Sequence, residues 1–254
     1  MESRPVNQIF SFFPAQKTIH RLPLFLRDKQ PFCALVDLDQ LSLLLEQQTS
    51  DLPAALLSKE EQIFFTRFNY PKRRREWLGG RIAAKAAMLA CPDNESSLSR
   101  MNEITILPDE HGRPVTGSGI KQMVSISHSS QFAVACAAKQ GVCGIDLQKI
   151  SSKLPGLTSR FTSSNEQQLL ARQYPDFPED IRLTMIWTTK EAVKKSMLHD
   201  QPSVFSGITI NQVLPEKKNK HLFFCKVTGY AQPQQVTVHV FPPYILALTG
   251  GENA

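Results

Sequence analysis

The short run GIDLQKI, residues 144–150, carries one carboxylate and one amide two residues apart, Asp146 and Gln148. The run has the character of a strand, and side chains two residues apart on a strand point to the same face. Two acids at this spacing would indicate a divalent-metal site, because Mg²⁺ prefers oxygen ligands. With one acid, the spacing leaves open a lost metal site, a site completed elsewhere in the chain, or a strand-end aspartate.

A second group of charged residues lies in WTTKEAVKKS, residues 187–196. On a helix, Glu191 and Lys195 are four residues apart and share one face, while Lys190 and Lys194 form the adjacent row. This pattern is typical of a solvated helix face whose ion pair contributes about 0.3–0.5 kcal/mol. The alternative is that the carboxylate binds a metal or accepts a proton while lysines bind phosphate.

The run SISHSS, residues 125–130, places Ser127 and His128 at the end of a predicted strand. Such side chains can donate hydrogen bonds to a phosphate, or act as a nucleophile and its base. Because neighbouring residues on a strand point to opposite faces, these two are not expected to form a catalytic dyad with each other. A polar turn is the other interpretation of this run.

A basic run, KRRREW at residues 72–77, begins a predicted long helix, and Arg81 and Lys85 follow on later turns. Basic side chains at a helix N-terminus oppose the macrodipole, so a bound polyanion would stabilise them. A nucleic-acid surface or a solubilising patch would have the same charge. The whole chain has a net charge of +6 and a pI near 9.1, which favours acidic partners.

The composition is that of a globular protein, with 254 residues of which 41% are hydrophobic and 20% charged. The 5 cysteines are scattered and lack the spacing of zinc ligands, which predicts reduced thiols. The sequence shows neither a signal-peptide pattern at its N-terminus nor a run of about 18 apolar residues. We therefore expect a soluble, cytoplasmic protein without a membrane segment.

Periodicity and capping signals predict two successive units. In the first, Ser58 and Glu61 have the spacing of a capping box, which starts a helix just before the long basic one. A strand, a turn and a loop rich in Gly and Ser follow, and this loop at 116–119 is the predicted domain boundary. The predicted domains are 1–119 and 120–254.

After this loop, three apolar or alternating runs between residues 122 and 149 predict an antiparallel meander. Ser163 and Glu166 have the spacing of a second capping box, and another helix is predicted over 180–197. Strands with Pro-rich turns complete the chain. The predicted fold class is α+β, with an antiparallel sheet and helices in each unit.

Five motifs stand in an order that resembles the 4′-phosphopantetheinyl transferases of the larger, surfactin-synthetase-activating type. They are a basic-Leu-Gly helix (RREWLGGR), a GRP turn, the Ser-His-Ser strand end, the GID strand and the helix motif W-x-x-K-E-A-x-x-K, and they span residues 70–196. The resemblance implies two similar α/β lobes in one chain, related by pseudo-twofold symmetry, with a ligand cleft between them.

The same resemblance implies an enzyme, a holo-[carrier protein] synthase. It would move the 4′-phosphopantetheine arm of coenzyme A to a serine of an apo acyl or peptidyl carrier protein and release adenosine 3′,5′-bisphosphate. Mg²⁺ is the expected metal, with Mn²⁺ as an alternative. Two lobes in one chain imply a monomer, and the activity requires neither nucleic acid nor a membrane. The sequence does not distinguish carriers of fatty-acid, polyketide or nonribosomal-peptide synthesis.

The matching motifs assign roles to the charged residues. Asp146 and Glu191 are the expected metal ligands, and Glu191 is also the expected base for the incoming serine. Lys195 matches the phosphate-binding lysine, with Lys190 as a neighbouring candidate. Gln148 departs from the family pattern, in which many members carry a second acid. Either it binds Mg²⁺ through its carbonyl oxygen, or it holds a water that does so.

Four residues match positions that contact coenzyme A in this family. Arg75 matches the arginine at the 3′-phosphate, and Arg113 of the GRP turn matches the basic residue near the adenosine end. His128 matches the histidine that contacts a coenzyme A phosphate, with Ser127 beside it. Coenzyme A would then be the anion that the basic start of the long helix requires.

Three other functions fit parts of the sequence. A non-catalytic module that binds coenzyme A or a carrier protein on the same fold would not need Asp146, Glu191 and Lys195 together. A nucleic-acid binder would interleave aromatic residues with charges on a strand face, whereas KRRREW supplies one tryptophan on a helix. A hydrolase using His128 lacks a paired nucleophile motif.

Overall fold

The computed structural model describes residues 19–21, 31–47, 51–90, 101–139, 141–198, 207–217 and 219–250 of the chain. Cys91, one of the cysteines predicted to be reduced, lies outside these ranges, and the four described cysteines are thiols. The chain divides into two compact units, residues 1–140 and 141–254. Across the described ranges, no helix is long and apolar enough to cross a membrane.

The first unit combines a four-stranded antiparallel sheet with helices and a small hairpin. Its elements are β1 (Ile19–Arg21), β2 (Phe32–Asp37), α1 (Leu38–Gln47), α2 (Asp51–Leu56), α3 (Lys59–Phe65), α4 (Pro71–Leu89), β3 (Ile106–Pro108), β4 (Pro114–Thr116), β5 (Met123–Ser129) and β6 (Phe132–Ala138), with a short 3₁₀ turn at Met101–Glu103. The sheet order is β1-β2-β6-β5, while β3 and β4 pair with each other.

The long helix α4 packs closely against this sheet. Two glycines of the helix, Gly79 and Gly80, make this close approach possible. A Cβ on Gly79 would overlap Leu38 Cδ2, and a Cβ on Gly80 would lie 2.8 Å from Ile126 Cγ2. Two glycines in a helix interior lower helix stability relative to alanine. The close packing that they permit against Leu38 and Ile126 offsets this loss. The glycine pair thus lets α4 approach Leu38 and Ile126 more closely than a residue with a side chain could.

The second unit combines a five-stranded antiparallel sheet with two helices. Its elements are β7 (Gly144–Lys149), a 3₁₀ segment (Leu154–Arg160), α5 (Ser164–Gln173), α6 (Glu179–Met197), β8 (Ile208–Lys217), β9 (Lys220–Val227), β10 (Gln234–Phe241) and β11 (Tyr244–Thr249). The sheet order is β7-β11-β10-β9-β8, and α6 packs on β7 and β11. Each unit is thus an antiparallel sheet with helices, which confirms the predicted α+β class.

Two predictions about the middle of the chain differ from the structure. The predicted boundary at 119/120 lies 21 residues before the observed division at 140/141, because β5 and β6 complete the first sheet by pairing in the order β2-β6-β5. The prediction of a three-stranded meander is wrong for its third strand, β7. β7 pairs with β11 near the end of the chain instead, and sequence periodicity does not specify such a distant partner.

Both units contain the same buried polar arrangement, which we call the latch. In the first unit, the capping box of Ser58 and Glu61 begins α3, and the Glu61 carboxylate also accepts hydrogen bonds from Lys85 Nζ and from the backbone N–H of Ile106, at 3.0 Å for the latter. Lys85 lies on α4 and Ile106 begins β3. One carboxylate therefore joins two helices and a strand.

The second unit repeats this latch with Ser163, Glu166, Lys190 and Ile210. Glu166 caps α5, accepts from Lys190 Nζ at 2.7 Å and accepts from the Ile210 backbone N–H at 2.9 Å. In both units the lysine follows the glutamate by 24 residues. The two predicted capping boxes are therefore confirmed, and each is part of a larger arrangement that capping signals alone do not indicate.

Candidate active site

Strand β7 and helix α6 carry the metal and catalytic candidates of the second unit. The Asp146 carboxylate is buried, and its Oδ1 lies 2.6 Å from Lys195 Nζ. The same ammonium group donates to the carbonyl oxygen of Ile145 at 3.2 Å. Residues almost 50 positions apart in the sequence thus form a charged pair, and Lys195 neutralises an aspartate that would otherwise be costly to bury.

Gln148 lies on the same side of β7 as Asp146, as the strand spacing predicts. Its Nε2 donates to Asp146 Oδ2 at 3.1 Å. Asp146 therefore has a lysine at one oxygen and an amide at the other. This contact keeps Gln148 beside the carboxylate, and both interpretations of its role toward a metal remain predictions.

Glu191 is half-buried on α6, and its environment favours proton uptake. Burial and the negative charge of Asp146 raise the pKa of Glu191, and Lys195 and Lys194 offset only part of this effect. The two carboxylates are therefore close enough for their charges to interact. The fold thus brings Asp146, Glu191 and Lys195 into one region, and their roles stay predictions.

These side chains fit a magnesium ion better than a metal that needs a complete protein cage. Within the described ranges, no group of three or more His, Cys, Asp or Glu side chains could hold a metal. Two neighbouring carboxylates and an amide remain, Asp146, Glu191 and Gln148. Mg²⁺ typically uses one or two carboxylates and completes its shell with water and substrate phosphates. The raised pKa of Glu191 is consistent with this fit, because a cation would relieve the repulsion between the carboxylates.

Gly144 sets the distance between β7 and α6. A Cβ at this position would overlap the backbone oxygen of Ala192 and would lie 3.0 Å from both Ser196 Cβ and Thr249 Oγ1. Ala192 directly follows Glu191, so the absence of a side chain at Gly144 lets the strand with Asp146 approach the helix with Glu191. The glycine of the GID motif therefore positions the site. The sequence spacing of the motif did not indicate this role.

Replacing Gly144 with alanine is expected to separate β7 from α6, because the added methyl group meets a backbone atom that cannot rotate away. We expect a loss of unfolding free energy of about 1–3 kcal/mol, measured by urea denaturation, together with reduced activity in the transfer assay described below. Gly156→Ala is the matched control, since a Cβ there meets nothing within 4 Å. Equal stability of the two variants would contradict the proposed role of Gly144.

The environment of Lys190 differs from the one expected for a lysine that binds phosphate. Its side chain is buried and pairs with both oxygens of Glu166, at 2.7 and 3.0 Å. Burial would raise the pKa of Glu166, but hydrogen bonds from Ile210, Lys190 and Ser163 outweigh it and hold the pKa below its ordinary value. Lys190 is thus part of the latch, whereas Lys195 on the next turn is partly exposed and lies at Asp146.

The four candidate residues for coenzyme A lie in the first unit, and three of them, Arg75, Arg113 and His128, have acidic neighbours. Arg75 Nη1 lies 3.3 Å from Asp39 Oδ1 and 3.2 Å from Ser42 Oγ, and its buried Nε has no hydrogen-bond partner among the described residues. Arg113 Nε donates to Asp109 Oδ2 at 3.0 Å. Neither partner of Arg75 was predicted, because the contacts join α1 to α4 through the fold.

His128 and Ser127 point to opposite faces of β5, as the strand alternation predicts. His128 is exposed, with Nδ1 3.8 Å from Glu76 Oε1, while Ser127 is buried. A ligand that touches the exposed face of His128 does not reach a buried serine on the other face. The structure therefore favours His128 as a ligand contact and disfavours Ser127, and Glu76 is a neighbour of His128 that the sequence did not indicate.

Comparison with known proteins matches most of the described chain. A family model described as 4′-phosphopantetheinyl transferase N-terminal domain matches residues 60–138, and one described as 4′-phosphopantetheinyl transferase superfamily matches residues 142–249. The 4′-phosphopantetheinyl transferase HetI of Nostoc sp. is 29% identical over 156 residues, which cover 59% of this chain and 63% of HetI. The chain thus spans less than two thirds of HetI.

Smaller proteins match over part of the chain. The holo-[acyl-carrier-protein] synthase of Staphylococcus carnosus is 34% identical over 103 residues, which cover 40% of this chain and 87% of that protein. A crystal structure of a holo-(acyl-carrier-protein) synthase from Bacillus anthracis, in complex with CoA (3′,5′-ADP), overlays with a TM-score of 0.36 at 24% identity, and covers 42% of this chain and 91% of that one.

Proposed function

Since the chain belongs to the 4′-phosphopantetheinyl transferase superfamily, we propose that it transfers the 4′-phosphopantetheine arm of coenzyme A to a serine of an apo acyl or peptidyl carrier protein. The other product is adenosine 3′,5′-bisphosphate. The observation that carries this proposal is the group of Asp146, Glu191 and Lys195 on β7 and α6, where a lysine and a proton-accepting carboxylate meet one buried aspartate.

The proposed reaction forms one bond and breaks one bond at phosphorus. The serine oxygen of the carrier bonds to the phosphorus that bears the pantetheine arm, and the bond from that phosphorus to the leaving bisphosphate breaks. Glu191 accepts the serine proton, for which its raised pKa is suited. Lys195, partly exposed beside Asp146, donates hydrogen bonds to the phosphate oxygens as negative charge shifts to the leaving group.

Mg²⁺ is proposed as the metal, held by Asp146 and Glu191 with Gln148 bound directly or through water, and when bound it neutralises pyrophosphate charge. Lys195 and Gln148 each donate a hydrogen bond to one oxygen of Asp146 and so orient its carboxylate. Arg75, Arg113 and His128 are proposed to bind coenzyme A. The partly exposed guanidinium groups and the exposed imidazole at these positions suit phosphate oxygens.

The proposal is tested by incubating the protein with coenzyme A, Mg²⁺ and a panel of apo carriers that includes acyl and peptidyl carrier proteins. Intact-mass spectrometry should show one phosphopantetheine added to at least one carrier, and none to the same carrier with its acceptor serine replaced by alanine. Reactions with EDTA should show no transfer. Coenzyme A binding by the folded protein with no transfer to any carrier would support a non-catalytic binding module and contradict the proposal.

A further inference from the structure

Two cysteines of the first sheet lie directly opposite each other on neighbouring strands. Cys33 on β2 and Cys136 on β6 occupy the same register position of an antiparallel pair, and both are thiols in the structure. Side chains directly opposite on such a pair point to the same face of the sheet. Of the other two described cysteines, Cys225 lies opposite Gln234 on one side and Ile210 on the other.

The hydrogen bonds between β2 and β6 place this pair at a closely spaced position. The Leu38 backbone N–H donates to the Gln131 carbonyl oxygen at 2.7 Å, so residues 38 and 131 form a hydrogen-bonded pair at the end of the ladder. Hydrogen-bonded and non-hydrogen-bonded pairs alternate along antiparallel strands, which makes 36/133 and 34/135 hydrogen-bonded pairs and 33/136 a non-hydrogen-bonded one. The Cα atoms of such a pair are about 4.5 Å apart, within the range of about 4.4–6.8 Å that a disulfide spans.

The surroundings of the pair allow a bond to form without repacking the core under α4. The adjacent residues Ala34 and Ala135 belong to that core, so strand alternation places both cysteines on the opposite face of the sheet. Cys33 is partly exposed, whereas Cys136 is buried. A small reagent in solution can therefore reach Cys33, and the second sulfur is held next to it. By contrast, burial raises the pKa of Cys225 to about 12, which makes that thiol unreactive.

We propose that Cys33 and Cys136 form a reversible disulfide when the protein meets a small-molecule disulfide such as oxidised glutathione. The Cys33 thiolate attacks the reagent, forms a mixed disulfide and releases one small thiol. The Cys136 thiolate then attacks Cys33 Sγ, which breaks the mixed disulfide, forms the bond between the strands and releases a second small thiol. Two electrons pass from the protein thiols to the reagent, and the two protons go to the released thiolates. Excess reduced glutathione reverses both steps.

Counting thiols in the full chain tests the proposal. The protein is incubated with oxidised glutathione in native buffer, then denatured, alkylated and weighed. The untreated chain should carry an alkyl group on each of its 5 cysteines, and the oxidised chain should carry two fewer, with peptide mapping linking Cys33 to Cys136. Cys136→Ala should instead retain one glutathione at Cys33. Cys225→Ala is the matched control and should lose two thiols, as the unmodified protein does.

The bond should also change the unfolding of the first unit. A crosslink between residues 33 and 136 restricts the unfolded chain, which stabilises the folded one. In a Trp187→Phe background, where Trp77 is the tryptophan that reports unfolding, oxidation should move the transition to higher urea, and dithiothreitol should return it. The same shift in Cys33→Ala would mean that oxidation acts elsewhere and would overturn the proposal.

Other results on the unmodified protein would equally contradict this site, whether or not the variants fold. Glutathione on Cys33 with Cys136 still alkylated would mean that the second sulfur does not reach the first. A link from Cys33 to a different cysteine would assign the bond to another pair. Oxidation at the same rate in urea would show that the fold does not bring the two sulfurs together. None of these measurements uses transfer activity, so the site stands or falls independently of the proposed function.

Discussion

Replacing Glu191 with glutamine is expected to lower kcat for phosphopantetheine transfer by roughly 10²–10⁴-fold, the usual range for loss of a general base. Glutamine has nearly the shape of glutamate but cannot accept the serine proton. Glu191 also lies beside Asp146, so its loss removes one of the two carboxylates expected at the metal. Coenzyme A binding should remain measurable by calorimetry, because Arg75, Arg113 and His128 are unchanged.

Glu179→Gln is the matched control for this variant, since Glu179 is an exposed glutamate in the first turn of the same helix. It should transfer at the unmodified rate. Both variants should unfold at the same urea concentration as the unmodified chain, which excludes a general loss of structure. A Glu191→Gln protein that is folded and turns over at the normal rate would show that the serine proton goes elsewhere.

The helix signals in the sequence were strong enough to predict both long helices and both capping boxes. Ser58 with Glu61 and Ser163 with Glu166 form boxes in which serine and glutamate exchange hydrogen bonds with each other's backbone. This succeeds because capping depends on residues three positions apart, which local sequence specifies. The faces of α6 could be predicted for the same reason, and so could the shared face of Glu191 and Lys195.

Capping and periodicity signals do not specify which distant strands pair. Strand β7 has the same alternating character as β5 and β6. Its residues do not indicate that it pairs with β11 and not with β6. The contact of Lys190 with Glu166 was not predicted for a related reason. Lys190 and Lys195 look alike in sequence, and only the fold places the first against Glu166 and the second against Asp146. Motif order still predicted a site on β7 and α6, because it depends on residue types and their sequence and not on strand pairing.

The repeated latch also allows equivalent positions in the two units to be compared, although the catalytic candidates lie in the second unit alone among the described residues. Lys85 and Lys190 occupy equivalent places in α4 and α6, since each pairs with the capping glutamate of its own unit. The residue after Lys85 is Ala86, whereas the residue after Lys190 is Glu191. The two units therefore share the structural lysine, and the adjacent position carries a small apolar side chain in one and a carboxylate in the other.

Removing the latch carboxylate of the second unit is expected to have the largest effect on stability. Glu166→Gln leaves the Lys190 ammonium buried without its charge partner, which typically costs about 3–5 kcal/mol. Because hydrogen bonds lower the folded-state pKa of Glu166, its contribution is present above its ordinary pKa of 4.5 and is lost as the pH falls through the folded value. The difference between unmodified and variant protein should therefore shrink in acid.

The two tryptophans allow this loss to be located. Trp77 lies in the first unit and Trp187 in the second, so a Trp77→Phe background reports urea unfolding of the second unit through Trp187 fluorescence. There Glu166→Gln should shift the transition to lower urea. Glu61→Gln, the equivalent change in the first unit, should shift mainly the signal of Trp77 measured in a Trp187→Phe background.

The double variant Glu166→Gln, Lys190→Met then decides between the two roles considered for Lys190. If Lys190 serves the latch, the double variant should be more stable than Glu166→Gln alone, because removing the buried charge removes the penalty of leaving it unpaired. KM for coenzyme A should remain near that of the unmodified protein, since Lys195 is retained at Asp146. A large rise in KM for coenzyme A with unchanged stability would instead assign Lys190 to phosphate binding and overturn its assignment to the latch.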